Sequence, residues 1–346
     1  MPERTCDAVF EGGGIKGLAL VGALSVVEEA GYQFHNLAGT SAGAIIAALR
    51  AAGYTAADLT PIMRDLDFAR FLDGGWRWLP TTSRVLNLAL HWGFYKGDVF
   101  LHWMEEMLAA KGVHTFADLA RPSGSFHRAD RYKLQVVASD LTLGRMIVLP
   151  QDAHLYNINP DNLSVALAVR MSMSIPYFFR PVSMRRLGAP PCYIVDGGLL
   201  SNFPISLFDG PGLDQRPTFG FRLAAGDRPQ PVRYPIRGLV SFFAAMFFTA
   251  MTASDNRYLD THDFVRTISI DNKGIPATRF ALSTDQKELL YESGREAAAT
   301  FLEQWDFDEY QRRYRLWAGM KRGTLLRSLA RAAAADPPEI AARPQD

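Results

Sequence analysis

The sequence predicts an α/β fold with a mostly parallel central sheet flanked by helices, and three observations lead there. Short β-branched or apolar runs alternate with longer stretches of helical periodicity. Glycine-rich turns stand where a strand passes into a helix, and recognisable start and stop residues bracket the helices. Parallel strands need a long crossover, usually a helix, so this alternation is the pattern of repeated strand-helix-strand units.

In chain order, DAVF (residues 7–10) reads as the first strand and EGGGIKG (11–17) as a glycine turn. Residues 18–31 read as a helix stopped by Gly31, and HNLAGTS (35–41) as a second strand ending in a sharp turn. AGAIIAALRAAG (42–53) is an apolar helix with Gly53 at its C-terminal stop. Thr55 and Asp58 form a variant capping box that opens the next helix. Residues 68–98 loosen into an insertion over the sheet, holding Phe68, Phe71, Trp76, Trp78, Leu79, Leu86, Leu88, Trp92, Phe94 and Tyr95. These side chains either line an apolar path for a lipid or fill the insertion's own core.

DVFLHWMEEMLAAKG (98–112) is an amphipathic helix with Asp98 as cap and Gly112 as stop. YKLQVVASD (132–140) and RMIVL (145–149) read as strands, SVALAVRMSMS (164–174) as a helix ended by Pro176, and YIVDGG (193–198) as a strand entering a turn. FGFRL (219–223) and DFVRTISI (263–270) are further strands. Residues 283–305 form a long helix that Ser283 and Gln286 cap.

Composition narrows the function classes. Hydrophobic residues make up 48% and charged residues 21% of 346, which is the balance of a globular protein. Lys+Arg 37 against Asp+Glu 36 gives a net charge of +1, so no global charge argues for nucleic acid. The two cysteines, Cys6 and Cys192, are too few for a disulfide framework and lack zinc-site spacing. They suit a reducing compartment, and Glu3, Arg4 and Asp7 interrupt the apolar core that a secretory signal needs, so a cytoplasmic location is expected. GLVSFFAAMFFTAMTA (238–253) falls short of the roughly 20 residues that cross a bilayer and is apolar nearly all round, which favours a buried helix over one that contacts a membrane. Residues 310–335 carry Arg312, Arg313, Arg315, Lys321, Arg322, Arg327 and Arg331 with no acidic residue. This basic helical tail is either a solvated surface helix or one that lies on anionic lipid.

Three short motifs carry chemistry. EGGGIKG satisfies G-x-G-x-x-G through Gly12, Gly14 and Gly17, the spelling of a dinucleotide loop. That loop needs an acidic residue about 20 positions later, where this chain reads FHNLAGTSAG, and Leu18 after Gly17 breaks the Walker pattern. The same turn, with several backbone N–H groups aimed at one point, suits an oxyanion. GTSAG, Gly39 to Gly43, is a nucleophile elbow with Ser41 at its tip, placed between a strand and a helix as that motif requires. DGG (196–198) puts Asp196 on a strand-end turn, either as a turn or N-cap residue or as the base that activates Ser41. A Ser-acid-His triad has only His262 after Asp196 to draw on, and its place just before a strand fits a cap or surface role better.

EGGGIKG, GTSAG and DGG in this order resemble the three signatures of the patatin-like phospholipase family. GFYKGD (93–98), VASD (137–140) and RMSMSIPYFFRPV (170–182) resemble further blocks of it. The resemblance covers about Ala8 to Phe208 and continues more weakly to about Trp305. It implies a catalytic domain at 8–208 and a continuation at 209–305 on the same globular unit; beyond it the charge pattern leaves the partly flexible basic tail at 306–346. It further implies a three-layer patatin-like fold in which Ser41 is the nucleophile, Asp196 takes its proton without a histidine, and Gly12, Gly13 and Gly14 offer N–H donors to the oxyanion. Gly39 and Gly43 then make room at the elbow. No metal or organic cofactor is implied. The expected partner is a phospholipid or other lipid ester met by peripheral membrane contact, with phospholipase A-type release of fatty acid as the activity.

Neutral-lipid lipase, lysophospholipase, other esterase and acyltransferase activity stay open, as does a non-catalytic lipid- or partner-binding protein on the same fold. Glu11 stands where the family often has Asp, and Gly198 where Ala or Gly is usual. Lys16 takes the family's Lys or Arg position, where it either meets a phosphate or packs the turn.

Overall fold

The computed structural model describes residues 4–73, 88, 90–122, 130–186, 188–209, 216–224, 236, 238–258, 263–275 and 282–314. The chain divides into two compact units, Met1–Trp305 and Asp306–Asp346. The first is a three-layer α/β unit. Its strands are β1 (Arg4–Phe10), β2 (Tyr32–Thr40), β3 (Gly93–Tyr95), β4 (Leu134–Asp140), β5 (Arg145–Leu149), β6 (Tyr177–Phe179), β7 (Val182–Arg186), β8 (Ala189–Asp196), β9 (Thr218–Ala224) and β10 (Thr267–Asp271). Its helices are α1 (Gly17–Glu29), α2 (Ala42–Ala51), α3 (Ala56–Asp65), α4 (Asp98–Ala109), α5 (Val165–Ser172), α6 (Leu239–Tyr258) and α7 (Thr284–Gln304).

The main sheet runs β10-β9-β1-β2-β4-β8-β7, with β5 also on β4. Pairing is parallel from β10 to β4 and antiparallel where β8, β7 and β5 join. Strand β4 has three partners and only two edges. Its residues 136–140 pair with β5 on one edge, so β2 (against 134–137) and β8 (against 138–140) share the other, end to end. Thr40 at the tip of β2 lies opposite Val137 and Asp196 at the tip of β8 opposite Ala138. Two strands pointing at each other thus bring residues 41 and 196 together.

Side chains alternate across the sheet. Ala8, Phe10 and Leu37 enter the large core with α1, α2 and α7, while Val9 and Ala38 face Phe203, Ile205 and Phe208 on the opposite side. Helices α1 and α7 touch at two glycines: a β-carbon on Gly22 would fall 2.1 Å from the Tyr291 carbonyl, and one on Gly294 2.0 Å from that of Ala19. At the β1–β2 irregularity between Cys6 and Ala8, the Asp7 carboxylate accepts the Asn36 N–H at 2.9 Å. A second core joins the small β3–β6 sheet to α6 through Phe94, Tyr95, Phe178, Phe179, Phe247 and Phe248.

Both capping boxes form, Thr55 with Asp58 and Ser283 with Gln286. Several expectations change. Gly97, not Asp98, caps α4, because the Asp73 carboxylate accepts the N–H groups of Gly97 (2.5 Å) and Val99 (2.9 Å). Residues 263–266 form a tight turn, leaving only 267–271 as a strand, since Asp263 folds back onto Arg266 at 2.7 Å. Helix α6 covers the second core and is not wholly buried: Phe247 and Phe248 face inward while Phe242 and Met246 face out. Phe68, Phe71, Phe94 and Tyr95 of the insertion are buried and Trp92 is exposed. Trp76, Trp78, Leu79 and Leu86 lie outside the described residues, as do His262 and the tail beyond Tyr314. In the second unit, Arg312 and Arg313 both pair with Glu309, at 2.8 and 2.6 Å. Among the described residues no helix is long and apolar enough to cross a membrane, and no cluster of ligating side chains suits a metal ion.

Candidate active site

Ser41 links the end of β2 to the start of α2 with φ 53 and ψ −123, a backbone state that costs a non-glycine residue about 1–3 kcal/mol. Its neighbours explain how the turn closes. A β-carbon on Gly39 would sit 2.3 Å from the Gly43 carbonyl oxygen, and one on Gly43 2.3 Å from the Phe10 carbonyl oxygen. Only glycine lets α2 approach the sheet this closely, with its positive N-terminal end beside Ser41.

The turn is pinned from α5. The Ser41 N–H donates to Ser172 Oγ at 2.8 Å, and that hydroxyl donates to the Val137 carbonyl at 2.6 Å. Ser172 is fully buried and thereby satisfies two buried backbone groups, each of which would cost about 1–3 kcal/mol if left unpaired. One residue on, Met173 Sδ accepts the Ser41 hydroxyl at 3.7 Å. One further, the Ser174 carbonyl accepts the Asp196 N–H at 2.9 Å. The segment 172–174 therefore holds both residues 41 and 196. It is anchored by Arg170, whose buried guanidinium donates to Gly97 O (3.1 Å), Arg180 O (3.0 Å), Lys96 O and Ser174 Oγ.

Asp196 is fully buried at the tip of β8. Its Oδ1 accepts the Gly198 N–H at 2.8 Å, and Oδ2 is buried. Burial pushes its pKa up from 3.8 to about 7, while the nearby Ser41 hydroxyl and the Gly198 N–H act in the opposite direction. It is thus both a turn cap and a carboxylate whose charge changes near neutral pH.

The glycine turn after β1 lies over the elbow. A β-carbon on Gly12 would be 3.1 Å from Ser41 Cβ, and one on Gly13 2.0 Å from Leu223 Cδ1. Gly14 has φ 58, which glycine adopts without strain. The Gly12 N–H already donates to the Asn202 carbonyl at 3.1 Å, whereas the N–H groups of Gly13 and Gly14 have no acceptor among the described residues. Of the three N–H groups expected to face an oxyanion, that of Gly12 is therefore engaged within the protein. Lys16 is buried, and this lowers its pKa against the attraction of Glu11, its charge neighbour. That placement makes Lys16 part of the turn's packing. Glu11 in turn accepts from Asn202 Nδ2 at 3.2 Å and from the Leu223 N–H.

Ser172 and Asn202 went unmarked in the sequence, the first as a helical serine and the second as an ordinary loop asparagine in LLSNFP. The signal available was position: Ser172 lies inside the block 170–182, and Asn202 follows Gly198 by four residues.

Residues 8–209 match the profile of the family described as patatin-like phospholipase. The uncharacterized protein YqhO of Bacillus subtilis (strain 168) is 41% identical over 303 residues, which is 87% of this chain and 99% of YqhO. The lysophospholipase nte1 of Aspergillus oryzae is 35% identical over 112 residues, 30% of this chain and 7% of nte1. Among solved structures, VipD from Legionella pneumophila is similar with a TM-score of 0.50 at 18% identity, over 88% of this chain and 67% of VipD, which is a likeness of fold. A profile that spans the glycine turn, the elbow and the Asp196 turn together settles the family: this chain is a member of the patatin-like phospholipases.

Proposed function

We propose that the protein is a serine acyl hydrolase of lipid esters that releases fatty acid from phospholipid through a Ser41–Asp196 dyad and an acyl-enzyme. The observation that carries this reading is the meeting of a strained Ser41 with a buried Asp196 that titrates near neutrality. Burial raises the Asp196 pKa, while the Ser41 hydroxyl and the Gly198 N–H pull it down.

In the proposed cycle the Ser41 hydroxyl turns from Met173 to Asp196, loses its proton to that carboxylate and attacks the ester carbonyl. The N–H groups of Gly13 and Gly14 hold the oxyanion, and loss of one such donor costs about 100- to 1000-fold in rate. Gly12 contributes by the absence of a side chain over Ser41. Asp196 then returns the proton to the leaving lyso-lipid alcohol, and water attacks the acyl-enzyme with Asp196 again as base. Apolar surface for an acyl chain stands beside the base: Met251 Sδ lies 3.0 Å from where a β-carbon on Gly198 would be, and Leu199 packs on the second core. Phe242 and Met246 on α6 offer exposed apolar contact to a bilayer that holds the substrate. The free, buried Cys6 and Cys192 support a cytoplasmic setting.

Product mass spectrometry on a mixed panel of phospholipids, lysophospholipids and neutral glycerolipids tests the substrate class. Free fatty acid and lysophospholipid are expected from the diacyl phospholipids with the native enzyme and not with Ser41→Ala. Release from neutral glycerolipids alone would overturn the phospholipid assignment.

A further inference from the structure

Asn202 holds the glycine turn through Gly12 and Glu11 and has one atom left over. Its carbonyl accepts the Gly12 N–H at 3.1 Å, and its Nδ2 donates to the Gly12 carbonyl at 3.0 Å and to Glu11 Oε1 at 3.2 Å. Both Nδ2 partners are acceptors, which fixes the orientation of the amide. The side-chain oxygen, Oδ1, therefore faces away from them. It is buried without a hydrogen bond among the described residues, on a residue only 2% exposed.

Where that oxygen points is set by two glycines. A β-carbon on Gly12 would lie 2.2 Å from Asn202 Oδ1 and 3.1 Å from Ser41 Cβ. One on Gly198 would lie 3.0 Å from Asn202 Oδ1 and 3.1 Å from Asp196 Oδ1. The amide oxygen thus borders the same two glycines that border Ser41 and Asp196, and neither glycine has a side chain to cover it. In the acyl-enzyme Ser41 no longer carries the hydroxyl that acts on Asp196, which leaves the buried carboxylate an acceptor without that donor. Buried acceptors are rarely left without a donor, because each unmade bond is costly. Two acceptors beside one nucleophile suit a donor with two O–H bonds.

We propose that Asn202 Oδ1 and Asp196 together hold the water that hydrolyses the acyl-enzyme, an inference that rests on the Ser41–Asp196 reading. One water proton passes to the Asp196 carboxylate as the water oxygen bonds to the acyl carbon. The other stays on that oxygen and donates to Asn202 Oδ1, which aims the oxygen lone pair at the carbonyl. The bond from the acyl carbon to Ser41 Oγ then breaks, Asp196 gives its proton to Oγ, and the carboxylic acid leaves with both its oxygens and its hydroxyl proton accounted for. Acylation needs no such water, so Asn202 Oδ1 acts on the second half of the cycle.

Asn202→Ala separates the two halves with p-nitrophenyl butyrate as probe. Slowed deacylation lowers kcat and KM together. The expectation is about a 100-fold fall in kcat with a fall of less than about 10-fold in kcat/KM, in line with the loss of an orienting group. A butyryl adduct on Ser41 should also build up, visible by mass spectrometry of the quenched protein and absent from the native enzyme. Looser support of the glycine turn, by contrast, weakens oxyanion binding in both halves. A drop in kcat/KM as large as that in kcat, with no butyryl adduct, therefore overturns the proposal. Asn202→Ser, which restores a smaller acceptor, should fall between native and alanine forms in kcat, and it carries the same readings where the alanine variant does not fold. A fluorophosphonate that labels Ser41 of the native enzyme keeps the tests apart: no labelling sinks the dyad, whereas labelling without adduct in the variant sinks only the water assignment.

Discussion

Asp196→Asn is expected to lower kcat on a soluble ester by about 10,000-fold or more, the scale seen when the acid or base of such a constellation is removed. The amide keeps the shape and can still accept the Gly198 N–H, but it cannot take the proton of Ser41. The native enzyme carries a related signature in its pH dependence. Asp196 works as a base only when ionised, and its pKa lies at about 7. The value of kcat/KM should therefore rise as pH climbs through about 7 and level off above it, with the rising limb absent from the residual activity of Asp196→Asn.

Stability should run the other way. The folded protein holds a proton on Asp196 that the unfolded chain, with a carboxyl near 3.8, releases, so this group's contribution to stability falls as pH rises from about 4 to about 7. At pH 8 Asp196→Asn should melt no lower than the native protein, because it removes a charge that burial disfavours. An asparagine variant that melts well below native, or a native rate flat from pH 5 to 8, would contradict the assignment of Asp196.

Gly43→Ala is expected to remove the fold of the site altogether. Its new methyl group would meet the carbonyl oxygens of Phe10 at 2.3 Å and Glu11 at 2.6 Å, both of them backbone and neither able to rotate away. Overpacking a core against side chains costs about 1–3 kcal/mol, and a backbone collision belongs at or above the top of that range. Helix α2 would have to lift from β1 and carry Ser41 with it. Urea unfolding should show a lower midpoint than native, and any protein that stays folded should lose fluorophosphonate reactivity. A variant with native midpoint and native reactivity would show that the elbow does not depend on this contact.

Much of this was legible because it was local. The strand-turn-helix context of GTSAG, the capping boxes and the glycine stops of the early helices each depend on residues a few positions apart, and each forms where its pattern stands. The parts that were hidden depend on distance along the chain. Asp73 caps α4 from 24 residues before Gly97, displacing Asp98 from that role. Strands β3, β6 and β7 span only three to five residues, too short to show a period, and their partners decide them. Of the site, the three motifs named Ser41, Asp196 and the glycine turn. What they could not name was the scaffold that converges on them: Ser172, 131 residues beyond Ser41, and Asn202, 190 residues beyond Gly12. An N–H group spent on a carbonyl, as that of Gly12 is on Asn202, is equally invisible in sequence.

The central claim, that Ser41 is a nucleophile activated at this elbow, is tested most directly by treating the native protein, Ser41→Ala and Asp196→Asn with a fluorophosphonate and mapping the adduct by peptide mass spectrometry. The account predicts one adduct, on the peptide that contains Ser41, formed in the native protein, slowed severely in Asp196→Asn and absent in Ser41→Ala. An adduct on another residue, or equal labelling of folded Ser41→Ala, would contradict it.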